Sequence, residues 1–454
     1  MTKIASDERP VVSILTLGCK LNQSDSERIA RRLAGEGVRV VDRMVPGVWG
    51  VIVNSCSVTH VADRKARRLV RQARKLSPDA QIVLTGCYAE TAPADIAAMT
   101  GADFVLRNLE KPQIADRLLE KLAKDGDPAA GCPTPRANPL RTRAFVKIQE
   151  GCNELCAFCI VPYTRGREES VPIEDVVQQV EARETEGVLE VVLTGTQLGN
   201  YGRDLGWTRE EQGPRWLLAE LLARTSVPRI RLSSLQAQDI SPELLDLWRD
   251  ERLCPHFHLP LQSGSDAVLG PMRRRYTSAE YRDAVSLIRE RVPNVAVTTD
   301  VIAGFPGETA ADFEATLSLC QEMGFAAMHC FPYSRRPHTG AEQMRGHLPP
   351  SIRRERLERL LAVAERSSIA FRQSLLGQTA MVLWEAPDSR LPSSNFLLPG
   401  AERQEVASGL TGNYVRVYTR AIAARQNSLR RTRLTGLHAD GMLGELSEDA
   451  NGKH

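Results

Sequence analysis

The feature that most constrains this 454-residue chain is its alternation of short apolar runs with longer amphipathic ones. "VVSILTL" (11–17), "VIVN" (51–54) and "QIVLT" (81–85) have the length and β-branched content of buried strands. Helical patterns lie between and after them. Ser24 and Glu27 have capping-box spacing at the start of an apolar stripe containing Ile29 and Leu33. Segment 60–76 carries Val61, Leu69, Ala73 and Leu76 on one side and Arg64, Arg67, Arg68, Arg71 and Lys75 on the other. Strands separated by crossover helices run parallel, so this first segment predicts a doubly wound parallel sheet. The alternation resumes with strands expected at 144–148, 190–195, 229–234, 256–261, 295–302 and 326–332, and helices at 172–183, 277–292 and 309–323. Six βα units fall short of the eight that close a barrel, so an open, partial barrel is expected.

Segment 123–139, rich in Pro, Gly and Ala, reads as a linker. A charged helix, 351–375, leads out of the second alternation, and the strand-like runs 379–385 and 413–419 then predict a small β-barrel. The expected organisation is α/β: an N-terminal parallel-sheet domain (1–125), a linker (126–142), a partial (βα)6 barrel (143–371), a small all-β barrel (372–440) and a disordered tail (441–454). "MTKIASDERP" has no apolar core of signal-peptide type, and no apolar run approaches the ~18 residues of a membrane span, so a cytoplasmic protein is expected. In that reducing setting ten cysteines point to metal binding or catalysis rather than disulfides. Cys132, Cys254, Cys320 and Cys330 have no motif around them and read as packing or linker residues.

"EGCNELCAFCIVPYTRG" places Cys152, Cys156 and Cys159 directly after the first strand of the second alternation, at the end of the strand where barrels carry their sites. Closed zinc and iron–sulfur sites take four protein ligands. Three thiolates on a four-iron cube leave one iron open to a ligand that is not protein; zinc remains the alternative. Phe158, just before the last cysteine, completes a likeness to the radical S-adenosylmethionine signature. In that superfamily the open iron chelates the amino and carboxyl groups of S-adenosylmethionine, and the reduced cluster splits the sulfonium to give a 5′-deoxyadenosyl radical. Supporting segments end successive strands: "VVLTGTQLGNYG" with Thr194 and Gly195, "RLSSL" with Ser233 and Ser234, "HLPLQSGS" with Gln262, and "TTDVIAGFPGET" with Asp300, Gly304, Pro306 and Gly307. The resemblance makes these the expected cofactor-binding residues.

Cys19, Cys56 and Cys87 lie far apart, but each follows a predicted parallel strand, and open α/β sheets form their ligand sites at that edge. Asn22 and Asn54 lie beside these loops and suit a supporting role. "GCKLNQ", "NSC", "GCYAE", the cysteine triplet, "HLPLQSGSDAVLGPMRRRYT" and "HCFPYSRRPHTGAEQM" together resemble the methylthiotransferase family of radical S-adenosylmethionine enzymes from about residue 11 to 440. The resemblance implies two [4Fe-4S] clusters, one radical (Cys152, Cys156, Cys159) and one auxiliary (Cys19, Cys56, Cys87), facing one gap that receives a flipped adenine. It also implies S-adenosylmethionine as cofactor, a separate sulfur donor, and an electron donor such as flavodoxin or ferredoxin.

Net charge is only +3, so nucleic-acid affinity must come from a local patch. Region 372–433 carries nine arginines against four acids. Tyr414, Arg416, Arg420, Arg430 and Arg431 interleave base-stacking and phosphate-neutralising groups. The segment resembles the RNA-binding TRAM module, which favours the anticodon stem-loop of tRNA as substrate. Arg165 and Arg167, just beyond the triplet, are candidates for cofactor carboxylate or RNA phosphate, with a surface role as the alternative. "GCKLNQ", "LGNYG" and "FPYSRR" resemble the branch acting on threonylcarbamoyl-adenosine. "SDSE" leans toward the branch acting on isopentenyl-adenosine, and Gln197 and "RPHTG" (336–340) depart from the expected pattern. A monomer is expected. A non-catalytic RNA-binding protein using its cysteines for zinc or redox sensing is the alternative of a different class.

Overall fold

The computed structural model describes residues 10–91, 96–124, 142–208, 213–385, 406–420 and 426–446. Nearly all of the expected linker, including Cys132, lies outside them. The chain forms two compact units, and they do not follow the sequence order. The first combines Met1–Leu140 with Glu150–Glu169 and Ser334–Glu342; the second holds the remainder.

The first unit is built on a parallel sheet of β1 (Val11–Thr16), β2 (Arg39–Val41), β3 (Gly50–Ser55), β4 (Gln81–Gly86) and β5 (Phe104–Leu106), in the order β2-β1-β3-β4-β5. Alternate side chains serve opposite faces. Val12, Ile14, Ile52 and Val83 pack with Ile29 and Leu33 of α1 (Lys20–Gly35) and with Ile114 and Leu118 of α5 (Ile114–Lys124). Val51, Val53, Ile82 and Leu84 pack with Ala66, Val70 and Ala73 of α2 (His60–Leu76). Two short helices, α3 (Cys87–Thr91) and α4 (Ile96–Thr100), follow β4. The doubly wound sheet is as expected. The face of α2 is not: Val61 is 62% exposed and Leu76 36%, while Asp63 is buried beside Ala66, Val70 and Ala73. Arg64, Arg68, Arg71 and Lys75 do form an exposed basic face. Ser24 and Glu27 are also corrected, because α1 starts at Lys20 with Cys19 as its N-cap, leaving both residues buried inside the helix.

In the second unit six parallel strands appear where the alternation placed them. Arg143–Lys147, Glu190–Thr194 and Arg229–Leu232 form one sheet; His256–His258, Ala296–Ala303 and Ala327–Pro332 form another. An isolated parallel bridge pairs Ile230 of the first sheet with Leu253, just ahead of His256–His258. Helices Ser278–Arg291 and Ala310–Met323 begin with reciprocal caps, Thr277 with Glu280 and Thr309 with Asp312, each satisfying backbone N–H groups that a helix start leaves unpaired.

After helix Pro350–Ser374 the chain closes a five-stranded barrel from Thr379–Trp384, Val406–Thr411, Arg416–Arg420, Ser428–His438 and Gly441–Leu446. Its core holds Trp384, Val417, Leu434 and Met442. Gly441–Leu446, expected as the start of a disordered tail, is the strand that closes this barrel. It pairs with Arg416–Arg420 on one side and Ser428–His438 on the other. Two glycines in "GMLGEL" dilute its strand pattern.

The barrel is joined to the six-stranded core by buried charge. Glu190 is fully buried at the start of its strand and pairs with Arg231 at 2.9 Å, Arg229 at 3.5 Å and Arg143 at 4.0 Å. Burial alone would raise the Glu190 pKa, but Arg231, Arg143 and Arg229 outweigh it and hold the carboxyl at about 2. The same arginines reach the barrel: Arg231 donates to the Gly412 carbonyl, Arg229 to those of Leu410 and Met381, and Arg143 to the Glu385 carboxylate.

Candidate functional site

Each of Cys19, Cys56 and Cys87 stands at the carboxyl edge of the first unit's sheet, after β1, β3 and β4 respectively. Two glycines let the loops close on one another. Gly18 (φ +91°) has room for no side chain, since a Cβ there would stand 2.6 Å from the Cys56 Cβ. Gly86 (φ +92°) would place one 2.3 Å from the Ser55 carbonyl oxygen. Asn22 ties the loops together by donating to the carbonyls of Leu17 (2.8 Å) and Ser55 (2.9 Å). Asn54 donates in return to the Asn22 carbonyl at 2.8 Å. Both asparagines are therefore loop-orienting residues, as the sequence reading proposed.

The three thiols form one electrostatic group. Burial pushes the Cys56 thiol up to about 11, and charge on Cys87 and Cys19 pushes in the same direction. A cationic metal centre binds the thiolate form and so displaces the proton that burial and neighbouring charge otherwise hold on the sulfur. The donor set fits an iron–sulfur cluster.

The second trio belongs to the same unit. Gly151 (φ +71°) opens the loop where a Cβ would overlap the Arg167 carbonyl, 1.8 Å away. Cys152 N–H donates to the Gly166 carbonyl and Cys159 N–H to that of Cys156, curling the loop on itself. Burial, then the neighbouring Cys159 and Cys156, raise the Cys152 thiol to about 12, although a backbone hydrogen bond from Glu154 acts against them. This trio also fits a thiolate-bound cluster. Phe158 lies within the turn and is partly exposed.

Arg165 was expected at cofactor or RNA, yet its side chain is 2% exposed and is committed internally. It pairs with Glu150, donates to the Asn22 Oδ1 and lies 3.8 Å from Asp25. Burial alone would lower its pKa, but Cys87, Cys19, Glu150 and Asp25 together raise it and keep it charged. Lys111, which no motif announced, donates to Asp25 at 2.6 Å and to Asn22 at 3.3 Å. One buried cation from the radical-type loop thus touches the asparagine that organises the first trio. Arg165→Met is expected to lower stability by about 1–3 kcal/mol, because Glu150 loses its partner while Lys111 still neutralises Asp25. Chemical denaturation would check it. Arg167 is exposed.

The segment "RPHTG" is a strap within the same unit. Arg336 is 4% exposed at its side chain and bonds Asp63 (2.8 Å) and Ser57 (2.7 Å), next to Cys56. Ala341 N–H donates to the Ala157 carbonyl between Cys156 and Cys159 at 2.7 Å. Neither contact has a signal in the sequence, since Asp63 and Arg336 lie 273 residues apart.

In the second unit most of the expected cofactor residues lie at or just after the carboxyl ends of the strands. Thr194 is buried, and Gly195 packs against Leu198 and Gln149. Gln149, missed by the sequence reading, accepts hydrogen bonds from the backbones of Thr196 and Gln197 at 2.8 and 2.9 Å. Ser233 is buried, and its N–H donates to the Leu193 carbonyl; Ser234 is partly exposed beside it. Gln262 holds a left-handed conformation (φ +63°), uncommon for a residue with a side chain and a mark of functional turns. Gly304 (φ +76°), Pro306 and Gly307 (φ +82°) follow Ala296–Ala303, and Asp300 lies within that strand.

The expected RNA-binding residues divide. Tyr414 is not an open stacking platform: its ring stacks on His256 at 4.9 Å and lies under the Arg231 guanidinium at 4.6 Å, and its hydroxyl accepts from Arg143. Arg416 is half-buried near Glu385. Arg420 and Arg431 are exposed, Arg430 is partly buried, and Arg433 joins the exposed set.

Residues 146–320 match the family model described as the radical SAM superfamily, and residues 11–107 match the uncharacterized protein family UPF0004. The chain is 36% identical to the threonylcarbamoyladenosine tRNA methylthiotransferase MtaB of Aquifex aeolicus, covering 85% of this chain and 95% of that protein. It is 33% identical to the protein of that name from Bacillus subtilis, covering 89% of each. It is also 36% identical to the tRNA-2-methylthio-N(6)-dimethylallyladenosine synthase of Moorella thermoacetica, covering 90% of this chain and 95% of that protein. Among solved structures it resembles the radical S-adenosylmethionine methyltransferase TsrM from Kitasatospora setae. The TM-score is 0.51 at 15% identity, over 73% of this chain and 77% of that one, a likeness of fold.

Proposed function

Since the chain belongs to the radical S-adenosylmethionine methylthiotransferases of tRNA, we propose that it adds a methylthio group to C2 of N6-threonylcarbamoyladenosine at tRNA position 37. The observation that carries the chemistry is the pair of three-cysteine sites in one compact unit, each with electrostatically interacting members. The names borne by the Aquifex and Bacillus relatives support the substrate, together with "GCKLNQ", "LGNYG" and "FPYSRR".

Cys152, Cys156 and Cys159 would hold one [4Fe-4S] cluster and Cys19, Cys56 and Cys87 the other. When bound, the first supplies the electron that cleaves S-adenosylmethionine, and the second carries the sulfur to be methylated and transferred. Arg165 supplies fixed positive charge beside Cys19 and Cys87, which offsets the charge of three thiolates in a buried place. Asn22 and Asn54 hold the ligand loops at fixed spacing. Thr194, Gly195, Ser233, Ser234, Gln262, Gly304, Pro306 and Gly307 form the proposed contact surface for S-adenosylmethionine. A low-potential protein such as flavodoxin or ferredoxin would supply electrons, and a separate donor would replace the sulfur.

Arg420, Arg431 and Arg433 are the proposed phosphate contacts for the anticodon stem-loop, in a barrel of the TRAM kind. Anticodon-loop bases are already single-stranded, so extruding adenosine 37 costs little pairing energy. Mass spectrometry of tRNA nucleosides from a deletion strain tests the assignment. Threonylcarbamoyladenosine should lose its methylthio group while isopentenyl derivatives keep theirs. The reverse pattern would assign the chain to the isopentenyl substrate instead.

A further inference from the structure

Three side chains inside the open barrel of the second unit converge without any role in the function proposed above: His258, Asp300 and His329. Each comes from a different strand of one parallel sheet. The register sets His258 beside Thr298 and Asp300 beside His329, so the three point to one face, two residues apart along the central strand. One donor atom from each lies within 4.8 Å of the other two. His258 Nε2 stands 3.4 Å from Asp300 Oδ2, which matches the ~3.4 Å between two donors each about 2.0–2.2 Å from a shared ion. The rings of His258 and His329 are 5.9 Å apart between centroids and tilted by 58°.

The surroundings orient this set. Thr298 Oγ1 lies 3.0 Å from His258 Nδ1, and the same hydroxyl is within 3.5 Å of the Phe257 carbonyl. The same hydroxyl also lies 3.3 Å from His256 Nε2, and the contact at His258 Nδ1 leaves Nε2 as the ring atom that faces Asp300. Metal-binding histidines are oriented this way, through a hydrogen bond at the other ring nitrogen. A His258–Asp300 pair alone involves two of the three groups, whereas the strand register brings His329 to the same face.

We propose that His258, Asp300 and His329 form a mononuclear site for a divalent first-row metal ion. Two imidazoles and one carboxylate on one face leave the remaining coordination positions open, a set that suits manganese, iron, cobalt or zinc. Asp300, which the sequence reading placed among the cofactor contacts, is in this account a metal ligand.

Manganese is the probe of choice because thiolate sites hold it poorly. The full-length protein, with its iron–sulfur clusters reconstituted under anaerobic conditions, is titrated with Mn2+ while the free-ion six-line EPR signal is followed. One ion per chain should bind. His329→Ala, at an exposed position, and Asp300→Asn should each weaken binding at least about tenfold, with the cluster absorbance unchanged. A His258–Asp300 ion pair alone predicts free Mn2+ throughout, and that result overturns the site. Equal binding by the parent and both variants overturns it as well, since the ion would then sit elsewhere.

Discussion

Cys156→Ala protein, reconstituted with iron and sulfide in the absence of oxygen, is expected to keep about half the iron of the parent chain and to release no 5′-deoxyadenosine. A cube held by three thiolates has no spare protein ligand, so losing one of them removes its means of attachment. Cys56→Ala should show the complementary behaviour: about half the iron, retained cleavage of S-adenosylmethionine, and no methylthio transfer to tRNA. The two variants share their fold and differ in which half-reaction survives. Iron content and cleavage product are read from the same preparations. Equal iron in both variants and the parent would mean that the ligands lie elsewhere. Stoichiometric zinc without cleavage in the parent would return the chain to the class of RNA-binding sensors.

Glu190→Ala is expected to destabilise the second unit by about 3–5 kcal/mol, the range for breaking a buried ion pair from one side. Glu190 and Arg231 are both fully shielded from solvent, so there is no water to screen the charges left behind. Because the same three arginines reach the C-terminal barrel, protease cleavage near residue 378 should accelerate in the variant. The pH dependence has a definite sign. A carboxyl held at about 2 in the folded chain, below its value when unfolded, stabilises the fold fully above the ordinary carboxylate range. That contribution is lost as pH falls through about 2. The stability difference between the parent and Glu190→Gln should therefore be largest near neutrality and shrink on acidification. Denaturation near neutral pH and in acid measures it; a difference that does not change with pH would place the stabilisation elsewhere.

The strands were legible because burial on both faces demands continuous apolar runs, and these stand out in "VVSILTL", "QIVLT" and the six later segments. The cysteines were legible because their side chains have few other uses in a chain of this type. Features set by partners distant in sequence were not. The buried face of α2 includes Asp63, a residue that reads as solvent-exposed until Arg336 is placed against it. Tyr414 reads as an aromatic for stacking bases until Arg143, Arg231 and His256 surround it. Gly441–Leu446 looked like a tail because a barrel-closing strand draws its stability from neighbours on both sides rather than from its own composition. In each case local sequence carried the wrong preference, and a long-range contact decided the outcome.

The first unit draws its residues from three separated stretches of chain; it contains the whole UPF0004 match at 11–107 and takes residues 150–169 out of the radical SAM match at 146–320. Excising residues 10–124 as a self-sufficient module would therefore discard the guanidinium of Arg165 and the strap bearing Arg336. Asn22, Asp63 and Ser57 would each lose a partner that the intact chain supplies. Fragment libraries, domain fusions and chimaeras between relatives should instead exchange all three stretches together, as one inheritance.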